Sequence, residues 1–182
     1  MKSISLSLLF VALIACGPHH EPETTVEPVA EAAVATPEAF RGGLESQLAL
    51  YFDLKDALVA TNADSAKRGA SALVASLSAW TVDGLSIEAD SIWTSNRDIL
   101  VARANAIVAL SDVEAQRLEF ESLSMAMITV VEAFGPLSNA VYRQTCPMVR
   151  GGSADWLASE EQIANPYHGS RMLRCGDVVR KI

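Results

Sequence analysis

Apolar residues recur at steps of three and four over four stretches of the chain, the spacing of amphipathic helices. Leu44, Leu48, Tyr51, Leu54 and Leu58 predict a first helix from about Gly43 to Ala60, halted at Thr61-Asn62-Ala63. Asn62 or Asp64 caps a second, in which Ala66, Ala70, Leu73, Leu77 and Trp80 stay in phase. After a break around Asp83-Gly84, Trp93, Leu100, Ala104 and Ile107 mark a third helix from Ile87 to Leu110. Ser111-Asp112-Val113-Glu114 has capping-box spacing, with the Ser111 hydroxyl as cap. It opens a fourth helix that carries Phe120, Leu123, Met127, Val130, Val131 and Phe134 and ends at Gly135-Pro136, where proline cannot continue it. Connections this short make sequence neighbours antiparallel. The expected fold is mainly α, an up-and-down four-helix bundle over residues 40–135 with helices about 25 to 35 Å long. Met125 and Met127 fall on an apolar helix face and read as core filler rather than ligands.

Past Pro136 the helical periodicity stops. Residues 136–182 carry glycines at 151, 152, 169 and 176 and prolines at 147 and 166. Short extended pieces such as Val141 to Thr145 suit a small β-hairpin in an otherwise irregular tail packed on the bundle, one domain with it. A segment this long needs something to fix it in place. Asn165-Pro166-Tyr167 with Gly169 reads as a fixed turn, and Trp156 as an anchor seating the tail.

At the amino end, Lys2 precedes an apolar run from Ile4 to Ala15 of signal-peptide length. A bilayer span needs about 20 apolar residues, so this run is too short to cross one. Leu13-Ile14-Ala15-Cys16 resembles the bacterial lipobox. That resemblance implies a signal peptide over 1–15, a lipid on Cys16 and attachment to a membrane of the bacterial cell envelope. Gly17, rather than Asp, after the cysteine favours the periplasmic face of the outer membrane. Residues 16–39, with Pro18, Pro22, Pro28 and Pro37 among Glu, Thr and Ala, read as a disordered tether spanning on the order of 25 Å. His19-His20 within it read as solvated.

The net charge is −8, and loss of Lys2 with the signal makes it more negative. This argues against nucleic acid and against an anionic lipid surface as partners, since both call for clustered Lys and Arg. No enzyme is expected either: there is no phosphate-cradling glycine motif, and no nucleophile stands beside a recognisable base.

The remaining chemistry is sulfur. The chain has 3 cysteines; with Cys16 lipidated, Cys146 and Cys175 are left as a pair in an oxidising compartment. Each has a methionine close by, in Cys146-Pro147-Met148 and Met172-Leu173-Arg174-Cys175. In an extended segment residues 146 and 148 point to one face, and in a helical turn residues 172 and 175 do so. Two thiolates with thioethers make a soft site suited to Cu(I) or Ag(I), to which His168 can add a nitrogen. The same cysteines can instead close a disulfide around a loop of about thirty residues, worth ~3 to 4 kcal/mol in the chain-entropy model. Ligand set, staple, and interconversion of the two remain open alternatives.

Val141 to Met148, Gly151-Gly152-Ser153-Ala154-Asp155-Trp156-Leu157, Ile163 to Gly169 and Met172 to Gly176 together resemble a bacterial periplasmic family called domain of unknown function 3347. The likeness runs from roughly Tyr51 to Ile182. That family has no established activity, and its domain also occurs attached to adaptor subunits of copper and silver efflux pumps. The resemblance therefore implies metal handling, a heavy-metal efflux component as partner, and Cys146, Met148, Met172 and Cys175 as the positions that match. Members often carry an aromatic residue or His before Cys-Pro-Met; Thr145 stands there in this chain and supplies no ligand. The expected function is that of an envelope lipoprotein binding Cu(I) or Ag(I) in metal buffering or efflux. The alternative is a non-catalytic interaction module with a structural Cys146–Cys175 disulfide.

Overall fold

The computed structural model describes residues 34–182. The signal segment, Cys16 and the tether up to residue 33 lie outside the described residues. Four helices form where the apolar phase places them: α1 (Glu38–Val59), α2 (Ala63–Ala79), α3 (Ile87–Ala109) and α4 (Val113–Phe134). Each packs along the next in sequence, giving the up-and-down bundle. The inward positions Leu44, Tyr51, Leu54, Ala66, Ala70, Leu73, Leu77, Leu100, Ala104, Ile107, Phe120 and Met127 are all buried. The small residues of α2 allow a close approach: a Cβ on Gly69 would stand 3.1 Å from the Leu54 backbone.

Three local expectations are corrected. The ordered domain starts before residue 40, because the Val34 amide donates to the Ala133 carbonyl at 3.3 Å and α1 begins at Glu38. Phe40 explains the early start. Its ring meets Trp80, Trp93 and Phe134 at 5.0, 5.4 and 4.5 Å between centroids, so burying it fixes the turn ahead of Gly43. Second, Asp112 and not Ser111 caps α4, its carboxylate accepting from the Ala115 amide at 2.8 Å. Ser111 accepts instead from Lys67, and Glu114 turns to Arg117 and Arg171. Third, Met127 is core as expected, but Met125 is exposed on the outer side of α4.

The tail is more regular than a hairpin. Strands β1 (Tyr142–Val149), β2 (Gly152–Ala158) and β3 (Asp177–Lys181) form an antiparallel sheet of order β2-β1-β3. Helix α1 meets α4 over a much shorter stretch than the other neighbouring pairs meet, and β2 packs on α4 beside that seam. Tyr51 joins the three elements. Its hydroxyl lies 2.5 Å from the Ser124 hydroxyl on α4 and accepts from the Leu157 amide on β2 at 3.1 Å. Burial pushes its phenol well above the ordinary value, which keeps it neutral.

Candidate functional site

The tail is fastened to the bundle by buried polar groups. Arg117 on α4 is 1% exposed. Its Nε donates to the Pro166 carbonyl at 2.8 Å, and its Nη2 to the Leu58 carbonyl at 2.8 Å and the Thr61 hydroxyl at 3.0 Å. Its Nη1 pairs with Glu114 at 2.7 Å, and Arg171 from the tail reaches the same carboxylate. Gly169, at φ +56°, closes over this cluster; a Cβ there would run into Thr61 and the Arg117 guanidinium. Within the tail, Asn165 gives its Nδ2 to the Cys175 carbonyl at 2.8 Å, while its Oδ1 accepts from the Tyr167 and His168 amides. The Gln144 amide donates to the carbonyls of Glu160 and Glu161, and Tyr167 donates to that of Asp155. These bonds supply the fixation that a segment of this length needs.

On the other side of the sheet, Arg143 bridges Asp155 and Glu132 of α4, and Arg180 pairs with the same Glu132. Partial burial works against the Arg143 charge, but hydrogen bonds and the negative charge of Asp155 and Glu132 outweigh it and raise its pKa. The sheet is thereby pinned to the bundle from its charged face.

The opposite face carries the thiol. Register pairs Cys146 with Ala154 and Gln144 with Trp156, so these four share one face, and all are buried. Gly176 brings the second cysteine up to it. At φ +140° its position admits no Cβ, which would meet the Thr145 carbonyl and stand 3.0 Å from the Trp156 ring. The chain can therefore cross close to β1 just before β3 begins, placing Cys175 Sγ 3.5 Å from Cys146 Sγ. Both cysteines are free thiols. Cys175 has its pKa raised, first by the hydrogen bond to Cys146, then by burial and by the nearby charges of Cys146 and Asp177.

The remaining predicted ligands are placed differently. Cys146 is fully buried whereas Met148 is 59% exposed, so the two do not share a face. The reason is a bulge between Cys146 and Val149, where Pro147 has no amide to give the ladder and the alternation breaks. His168 Nε2 lies 3.2 Å from the backbone carbonyl of Met148. Met172 is half-buried in the turn that the Cys175 amide closes onto the Met172 carbonyl at 3.0 Å. Among the described residues no group of three or more His, Cys, Asp or Glu side chains clusters as a metal cage. The structure thus unites the two thiols, sets Met172 one turn away, and directs Met148 toward solvent.

Sequence reasoning missed Arg117 as the principal clamp and saw Asn165 only as a turn residue. A signal for the first was present: Gln116 and Arg117 stand in phase with Phe120, Leu123 and Met127, on the inward stripe of α4.

Four packed helices with a small antiparallel sheet, a buried thiol at its centre and a second thiol against it, define a helical-bundle domain with a dithiol extension. The chain belongs to the family described as Protein of unknown function (DUF3347), whose model matches residues 48–139. That stretch begins within α1 and ends before β1, so the likeness is shown for the helical part and the two cysteine motifs lie outside the match. No curated protein and no solved structure matches the chain. No helix among the described residues is long and apolar enough to cross a membrane.

Proposed function

We propose that this chain is a lipid-anchored protein of the bacterial envelope that binds a soft monovalent metal, Cu(I) or Ag(I), at Cys146 and Cys175, in metal buffering or efflux. One observation carries the reading: two free thiols 3.5 Å apart at the meeting of β1 and the turn before β3. With metal–sulfur bonds of about 2.3 Å, two sulfurs on one ion lie up to ~4.6 Å apart, so 3.5 Å corresponds to a bent pair that opens by roughly 1 Å to become linear. Thiolates select soft cations, and the Met172 thioether in the adjoining turn is of the same kind. Met148, whose side chain is exposed, and His168, whose ring lies against the Met148 carbonyl, serve at most an outer step of loading.

The second reading is the structural disulfide in an interaction module. It draws support from the same separation, which is about 1.5 Å longer than an S–S bond. It is not needed to seat the tail, because Arg117, Asn165 and Tyr51 already hold it.

The two readings separate on a thiol count of mature protein isolated without reductant, followed by Cu(I) titration of the reduced form against a competing chelator. The metal reading expects binding that the Cys146→Ser/Cys175→Ser variant loses; equal binding by that variant removes it. Affinity should also rise with pH. The Cys175 thiol is held protonated to a higher pH than usual, and the metal must displace that proton, so below its pKa it contributes about tenfold in affinity per pH unit. The anchor is tested independently by the mass of the amino-terminal peptide and by release of a Cys16→Ser variant from membranes.

A further inference from the structure

We infer that Cys146 and Cys175 form an ordered thiol–disulfide exchange site in which Cys175 receives a disulfide-bearing oxidant and Cys146 then resolves the mixed disulfide. The inference goes beyond metal binding and holds with no metal bound.

The order follows from where the two sulfurs sit. Cys146 is 0% exposed on β1, the central strand, with β2 and β3 paired on either side. Residues 159–176 cover its face of the sheet, tied down by Gln144 and Asn165. No oxidant reaches it unless that layer opens. Cys175 is partly exposed and lies in the connection just before β3, an edge strand whose residues are all exposed. Edges of this kind open locally at far lower cost than a central strand.

The chemistry balances without a further reagent. The Cys175 thiol loses its proton, and the thiolate attacks one sulfur of the oxidant RSSR, forming Cys175–S–S–R and releasing RS⁻, which takes up that proton. Cys146 Sγ, already 3.5 Å away, attacks Cys175 Sγ and expels the second RS⁻, which takes the Cys146 proton. Two protein thiols and one RSSR become one internal disulfide and two RSH. Closing the bond needs about 1.5 Å of movement between the sulfurs, less than a side-chain rotamer change provides. Oxidation also consumes both thiolates at once. If the pair holds a soft metal, exchange switches that site off, and bound metal shields the thiols from exchange; this coupling alone rests on the metal reading.

Oxidised glutathione is a suitable probe, applied to the reduced full-length chain and followed by acid quenching and peptide mass mapping, which keeps Cys16 separate. Native Cys146→Ser is expected to accumulate a glutathione adduct on Cys175, while Cys175→Ser reacts at Cys146 at least about tenfold more slowly. In urea the two variants should react alike, which ties the difference to the fold. The wild type should end as the internal disulfide with only transient adduct. A Cys175→Ser variant that reacts as fast as Cys146→Ser under native conditions overturns the order, and a lasting adduct on wild type overturns the resolving step. Should either variant fail to fold, timed iodoacetamide labelling of the reduced wild type decides: Cys175 must be alkylated before Cys146. Cu(I) protection of the same labelling reports on the metal reading separately.

Discussion

In the bundle, contact is made by Leu73, Leu77, Leu100 and Phe120, apolar side chains without solvent exposure that recur at helical spacing. The tail also buries Trp156, Leu157 and Tyr167, but it is fastened by polar groups on both sides of the seam: Arg117 of α4 and Tyr51 of α1 reach partners 49 and 106 residues away, and Gln144 and Asn165 bind carbonyls 16 and 10 residues away within the tail. Burial of apolar area is non-directional, so many similar residues share the load and each is replaceable. A buried hydrogen bond is directional, and losing one partner leaves the other unsatisfied at full desolvation cost. The seam between tail and bundle is accordingly where a volume-conserving substitution does most, and it holds in place the segment that carries the thiols.

The strongest way to break the comparison is Arg117→Met, which keeps the stem but removes the guanidinium. It leaves the Pro166 and Leu58 carbonyls and the Thr61 hydroxyl without their donor and frees Glu114 from its buried partner. The expected loss is about 3 to 5 kcal/mol, measured by urea denaturation with tryptophan fluorescence and circular dichroism read together. If the tail is fastened as described, the fluorescence of Trp156 should change before helicity does. Coincident transitions at wild-type midpoint would show that the clamp contributes nothing.

Asn165→Ala comes next, because it acts inside the tail and not between tail and bundle. The variant loses one donor to the Cys175 carbonyl and one acceptor for the Tyr167 and His168 amides. About 2 to 3 kcal/mol should go, with hydrogen exchange increasing over 163–177 while the helices stay protected. Cys146 should become accessible to alkylation, since Asn165 ties down the layer that covers it. Unchanged protection of Cys146 would mean that the strands alone seal the thiol.

What the sequence disclosed follows the same division. Ala66, Ala70, Leu73 and Leu77 could be placed because periodicity is a local property, and each is buried as its phase requires. The cysteine pair could be picked out by residue type, but its geometry depends on β3 pairing with β1 and on Gly176 passing under Trp156, both long-range outcomes. The expectation that Cys146 and Met148 share a face failed at a proline that sequence reading had noted without drawing the bulge from it. Arg117 went unseen because a charged side chain on a helix is ordinarily solvated, although its phase among Phe120 and Leu123 marked it as inward.

The smallest effects should come from polar groups at the exposed helix ends of the bundle. At the start of α4, the Asp112 carboxylate accepts from the Ala115 amide at 2.8 Å, whereas the Ser111 hydroxyl receives only the exposed Lys67 ammonium. Asp112→Ala is expected to cost about 1 kcal/mol and Ser111→Ala less than about 0.5 kcal/mol. The reverse order would restore the capping box that the sequence spacing suggests. With the expected order, even the better of these two contacts is worth a fraction of Arg117, because water takes the place of a lost partner at an exposed helix end and cannot do so beneath the tail.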